Sequence, residues 1–178
     1  MKKIVIAALM SVFIATPALA DNTGKFYVAG DFGLATYSDL PPGWSNPNVI
    51  RIAGGFHFSP LFAVELGYSV FGDSTYYYGP AVTSASSLQV AAVGSLPLSR
   101  QFDLIGKLGL ASNAEDYSDA TGYSASYSRS DLLFGFGAQF NINSQLSVRA
   151  LYDSYGKFDN FFPPMTATSL SLGVVYNF

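Results

Sequence analysis

Large apolar side chains recur at every second position in eight stretches of this chain, residues 26–37, 48–58, 62–71, 86–96, 102–111, 130–140, 145–152 and 168–178. A period of two marks a β-strand, whose successive side chains point to opposite faces. In all eight stretches the bulky apolar residues take the even numbers, as in Phe62, Val64, Leu66, Tyr68 and Val70, or Leu170, Leu172, Val174, Tyr176 and Phe178. The odd positions are small or polar, and they hold every charge inside the stretches: Asp31, Arg51, Glu65, Asp103, Lys107, Asp131 and Arg149. Each stretch is near the roughly 9–11 residues that a tilted strand needs to cross the hydrocarbon of a bilayer. A soluble sandwich would turn its long apolar residues inward and its charges outward. A membrane barrel makes the opposite choice, because a Lys or Arg facing lipid at the midplane costs about 2–4 kcal/mol. The pattern predicts an all-β protein, an eight-stranded antiparallel up-and-down transmembrane β-barrel with even residues toward lipid and odd residues toward the lumen.

The connections alternate between short links at 59–61, 97–101 and 141–144 and long ones at 38–47, 72–85, 112–129 and 153–167. Bacterial barrels join their strands by short periplasmic turns and longer external loops, so both termini are expected in the periplasm. The long segments are rich in Ser, Tyr, Gly and Asp, with Tyr76-Tyr77-Tyr78 in the second and Glu115, Asp116 and Asp119 in the third. Aromatic residues crowd the strand ends, among them Phe26, Phe56, Phe58, Phe62, Phe102, Phe140 and Phe178 at the turn end and Phe71 and Tyr152 at the other. They are expected to form interfacial girdles.

Residues 1–20 have a separate character. Lys2 and Lys3 precede an apolar run over 4–14, and Ala18-Leu19-Ala20 offers a small-x-small cleavage site, the layout of a secretory signal peptide removed before Asp21. The run is too short for a helix that spans a bilayer, which needs roughly 20 residues. Residues 21–178 are then the barrel domain. The chain is 49% hydrophobic and only 12% charged, and cleavage would lower its 9 basic side chains to 7 against 12 acidic ones, a net −5. That balance gives no indication of nucleic-acid binding. With no cysteine, disulfides and thiolate metal sites are excluded.

The opening Phe26-Tyr27-Val28-Ala29-Gly30, the Val64-Glu65-Leu66-Gly67-Tyr68 of the third stretch, Gly106-Lys107-Leu108-Gly109 in the fifth and the final Tyr176-Asn177-Phe178 together resemble one family. It comprises the small outer-membrane β-barrels similar to the transmembrane domain of outer-membrane protein A. The likeness implies residence in a bacterial outer membrane, among its lipids and lipopolysaccharide. It also implies that Tyr176 and Phe178 form the C-terminal signal read by the outer-membrane insertion machinery, and that Glu65 is a lumenal acid bridged to basic residues. Relatives often continue into a peptidoglycan-binding domain, which is not expected here.

Eight strands enclose a lumen just wide enough for side chains to fill, so lumenal charges must pair with one another. Asp31 and Arg51 lie at similar depth on adjacent strands, and Glu65, Lys107 and Arg149 share a central layer. Asp31 is expected to face Arg51, and Glu65 to meet Lys107 or Arg149. The network is either a structural plug or a charge gate that swaps partners to admit small ions. The single histidine, His57, falls inside and beside a short turn, the wrong end for an enzyme acting on outer-leaflet lipid. Gly122-Tyr123-Ser124-Ala125-Ser126 lacks the last glycine of a nucleophile elbow, and the acids at 115, 116 and 119 do not have calcium-loop spacing. No cofactor, metal or catalytic residue is expected. The leading expectation is a non-enzymatic barrel that supports the membrane and presents loops for adhesion or recognition of an extracellular ligand. A narrow porin-like channel is the alternative, and a lipid-modifying enzyme ranks third.

Overall fold

The computed structural model describes residues 22–38, 45–75, 82–118, 124–158 and 165–178. The expected leader and its cleavage site, Tyr76-Tyr77-Tyr78, Asp119 and Gly122-Tyr123 lie outside them. The described residues form eight strands: β1 Phe26–Tyr37, β2 Asn48–His57, β3 Phe62–Thr75, β4 Val82–Pro97, β5 Phe102–Ser118, β6 Ser124–Asn141, β7 Leu146–Phe158 and β8 Met165–Asn177. Each pairs antiparallel with its sequence neighbours, and β1 pairs with β8 to close the barrel. Closure leaves no edge through the apolar zone, so every backbone amide there can be bonded to another strand.

Three short turns join the strands at one end, here the turn end, and each uses the same device. Ser59 Oγ accepts the amides of Leu61 (3.3 Å) and Phe62 (3.0 Å), and Ser99 Oγ those of Gln101 (3.2 Å) and Phe102 (3.1 Å). Asn143 Oδ1 does the same for Gln145 (2.9 Å) and Leu146 (2.8 Å). A short polar side chain thus supplies the turn's own amides locally, which fixes where the next strand starts. The opposite end is the loop end. Strands β3 to β6 run further toward it than the hydrophobic period indicates, so much of the sequence read as loop is strand.

Within the eight stretches the even residues face out. Phe32, Leu66, Leu108, Leu172 and their neighbours are exposed, which in a membrane means covered by acyl chains. At the turn end Phe26 packs on Phe56 (4.9 Å between ring centroids), Phe58 stacks on Phe62 (6.3 Å) and Tyr176 meets Phe178 edge-on (5.3 Å). Two expectations fail here. Phe71 is not part of an outer girdle: it is 1% exposed and lies in the lumen, in keeping with its odd number. Nor is the lumen simply small and polar, because two apolar clusters fill it. One holds Tyr27, Val93, Ile105, Leu151 and Val175 nearer the turn end, and the other holds Val49, Phe71, Leu133, Tyr155 and Phe158 nearer the loop end.

Candidate functional site: a neutral ionic layer in the lumen

Between the two apolar clusters lie six charged side chains, each no more than 3% exposed. Register places them. Asp31 is directly opposite Arg51, Gly173 is opposite both Asp31 and Arg149, and Gly135 is opposite both Lys107 and Asp153. The glycines make room. A Cβ on Gly173 would lie 2.0 Å from Asp31 Oδ1, and one on Gly135 would lie 2.1 Å from Asp153 Oδ1. A bare backbone on one strand therefore lets its neighbour's carboxylate lean across it.

Glu65 is the hub. It contacts Arg51, Arg149 (3.1 Å) and Lys107 (3.3 Å), and accepts the Tyr27 hydroxyl at 3.0 Å. Asp31 takes a two-pronged contact from Arg149, with Nε and Nη2 each at 2.8 Å, and a third from Arg51 at 3.0 Å. Asp153 closes the ring, 3.3 Å from Lys107 and 4.0 Å from Arg51. Three carboxylates and three cations sum to zero. That balance is what allows full charges to sit in an apolar barrel, where removing one member costs far more than the assembled set contributes. The two arginines are gripped by directional hydrogen bonds, whereas Lys107 Nζ meets its carboxylates without hydrogen-bond geometry. The Lys107–Asp153 side is the looser one.

The structure thus brings Asp31, Arg51, Glu65, Lys107 and Arg149 into one layer, with Glu65 touching both of the basic residues considered for it. Three further members carry no such signal in the sequence. Asp153 falls just past the seventh stretch, whose hydrophobic period ends at Tyr152, although its odd number continues that strand's lumenal parity. Gln89, which accepts Arg51 Nε at 3.1 Å and donates to Ser69 at 2.8 Å, and Tyr27 carry no charge to mark them. Other site residues lie apart. Asp103 is bonded by Asn141 at 2.8 Å, and Asp131 is at the loop end. His57 packs on Tyr27 with centroids 5.0 Å apart. Tyr176 and Phe178 are on the outer surface near the turn end.

From the turn end a polar cup of about 310 Å³ leads inward past His57 and Asp103 to a floor that includes Tyr27 and Arg149. At the turn end the lumen is thus open as far as its ionic layer. Among the described residues no three His, Cys, Asp or Glu side chains are grouped to hold a metal ion, and no helix is long and apolar enough to cross a membrane.

A closed, lipid-faced barrel with a charge-balanced interior defines a transmembrane β-barrel. Residues 5–178 match the family described as the outer membrane protein beta-barrel domain, and the chain belongs to it. The protein is an outer-membrane barrel. Among solved structures it is similar to Ail, the attachment invasion locus protein of Yersinia pestis, in complex with the heparin analogue sucrose octasulfate. Identity is 19%, the TM-score 0.64, and the match covers 88% of this chain and 99% of that one. Neisserial surface protein A is 18% identical with a TM-score of 0.70 over 86% of this chain and 97% of that one. The N-terminal barrel of Pseudomonas aeruginosa OprF is 13% identical with a TM-score of 0.64 over 89% and 100%. These likenesses show the fold. No curated protein matches the sequence.

Proposed function

We propose that this protein is a sealed, non-enzymatic scaffold of the bacterial outer membrane whose business is done by its loop end, as adhesion or recognition at the cell surface. The observation that carries this reading is the filled lumen, with a neutral six-charge layer set between two apolar clusters. A barrel so filled offers its surroundings a lipid-facing wall and its two ends. The loops are rich in tyrosine and serine, which supply contact area and hydrogen bonds at low entropic cost. The similar Ail structure holds a heparin analogue, which makes sulfated glycans the first ligand class to try here. On this reading residues 1–20 are a cleaved leader, residues 21–178 the barrel, both termini periplasmic, and Tyr176 and Phe178 the insertion signal. The test is binding of cells that display the protein to glycan-coated and host-cell surfaces, with and without residues 76–81. Binding that survives the deletion, with the barrel still folded, would count against that loop as the adhesive element.

A second reading, a narrow channel gated by the lumenal charges, is favoured by the polar cup that reaches Arg149 from the turn end. Single-channel recording in planar bilayers separates the two, since openings that change in Glu65→Ala would make the ionic layer a working part. A lipid-modifying activity is the least supported, because His57 lies beside the turn end. A changed lipid A mass spectrum on expression would revive it.

A further inference from the structure

Strand β7 departs from its neighbours at the loop end. Its pairing with β6 stops at Phe134 opposite Ser154, although β6 begins at Ser124 and β7 runs to Phe158. Its pairing with β8 slips between Ser154 and Gly156, and Gly156 has a left-handed φ of 74°, a conformation natural to glycine. The extra residue reverses the parity. Tyr155 is inside with an odd number, and Phe158 is inside with an even one, 1% and 2% exposed. Both rings meet Phe71 edge-on, at 5.2 and 5.7 Å, and Tyr37 caps Phe158 at 5.9 Å. The Tyr155 hydroxyl is tied to Ser169 at 3.1 Å.

Side chains hold this segment where the β6 ladder no longer does. Asp131 on β6 accepts the Lys157 amide at 2.9 Å. Asn113 on β5 donates to the carbonyls of Tyr155 (2.8 Å) and Lys157 (3.2 Å), and is itself held by Ser87 at 2.7 Å. We propose that residues 154–158 are a strap that presses Tyr155 and Phe158 into the lumen as a second, aromatic barrier in series with the ionic layer, and that Asp131 is its latch. The two barriers work on different physics. The ionic layer opposes passage because its charges must part, whereas an aromatic constriction opposes it by excluding water. With both in place, weakening one leaves the other shut. The strap, unlike the ionic layer, is fastened from the loop end and is open to control there.

The test compares four proteins in planar bilayers: wild type, Glu65→Ala, Tyr155→Ala with Phe158→Ala, and all three changes together. Each barrier variant alone is expected to conduct little more than wild type, and the combination at least about tenfold more than either. Glu65→Ala conducting as well as the combination would overturn the proposal. So would a silent combination whose heat-modifiable gel mobility shows it folded. A second measurement leaves the ionic layer intact. Because the chain has no cysteine, Ser171→Cys, opposite Gly33 and Leu151 in the lumen, is a unique reporter for a charged thiol reagent. Adding Asp131→Ala is expected to speed its labelling at least about tenfold from the loop side, and an unchanged rate would overturn the role of the latch.

Discussion

Removing Glu65 removes the carboxylate of the ionic layer that touches all three of that layer's cations. In Glu65→Ala, Arg149 keeps Asp31, Arg51 keeps Asp31 and a longer contact to Asp153, and Lys107 keeps only Asp153. The layer then carries a net charge of +1 between two apolar clusters, with its side chains no more than 3% exposed. Stripping one partner from such a buried set costs about 3–5 kcal/mol. Lys107→Met alone leaves the opposite imbalance and a similar cost. The double variant restores neutrality with two carboxylates and two arginines. What remains of its cost is the unpaired Tyr27 hydroxyl and an Asp153 left with only its 4.0 Å contact to Arg51, about 1–3 kcal/mol for each group. The two single losses should therefore exceed the double by several kcal/mol, a strong coupling for neighbouring groups. Reversible urea unfolding in lipid vesicles, followed by fluorescence and by heat-modifiable gel mobility, measures all three. A Glu65→Ala protein within about 1 kcal/mol of wild type, or a double variant as unstable as the sum of the singles, would refute the argument from charge balance.

Other expectations concern the wall and the termini. Leu172→Lys puts a charge on the lipid face beside the ionic layer, since Leu172 pairs with Phe32 and Ala150; folding into vesicles should weaken by about 2–4 kcal/mol, read by the same urea titration. Gly173→Ala pushes a methyl group against Asp31 Oδ1 and the Gly30 carbonyl, and should lose about 1–3 kcal/mol as the Arg149–Asp31 grip is displaced. Phe178→Ala should slow assembly by the insertion machinery in reconstituted proteoliposomes while leaving the stability of the assembled barrel nearly unchanged, because Phe178 is 64% exposed on the outer surface.

Much of the architecture can be read one residue at a time. A strand in a barrel wall has lipid on one side and packed side chains on the other, so each residue's face is set by its own parity, and the step of two in Phe62, Val64 and Leu66 states it directly. Turn chemistry is equally local, since Ser59, Ser99 and Asn143 bond amides two and three residues ahead. The interior is another matter. Arg149 and Asp31 are 118 residues apart, and they meet because β1 and β8 close the ring and Gly173 leaves the space between them. Parity could say that both point inward, and depth could bring Asp31 to Arg51, but which cation Glu65 meets depends on side chains crossing a lumen whose width and stagger belong to the whole barrel. The same holds for the strap. Tyr155 and Phe158 lie in sequence that reads as loop, and a single bulge at Gly156 turns an even-numbered phenylalanine inward. That reversal is decided by where β6 stops pairing with β7 and by the side chains of Asp131 and Asn113, contacts that exist only once the barrel has closed.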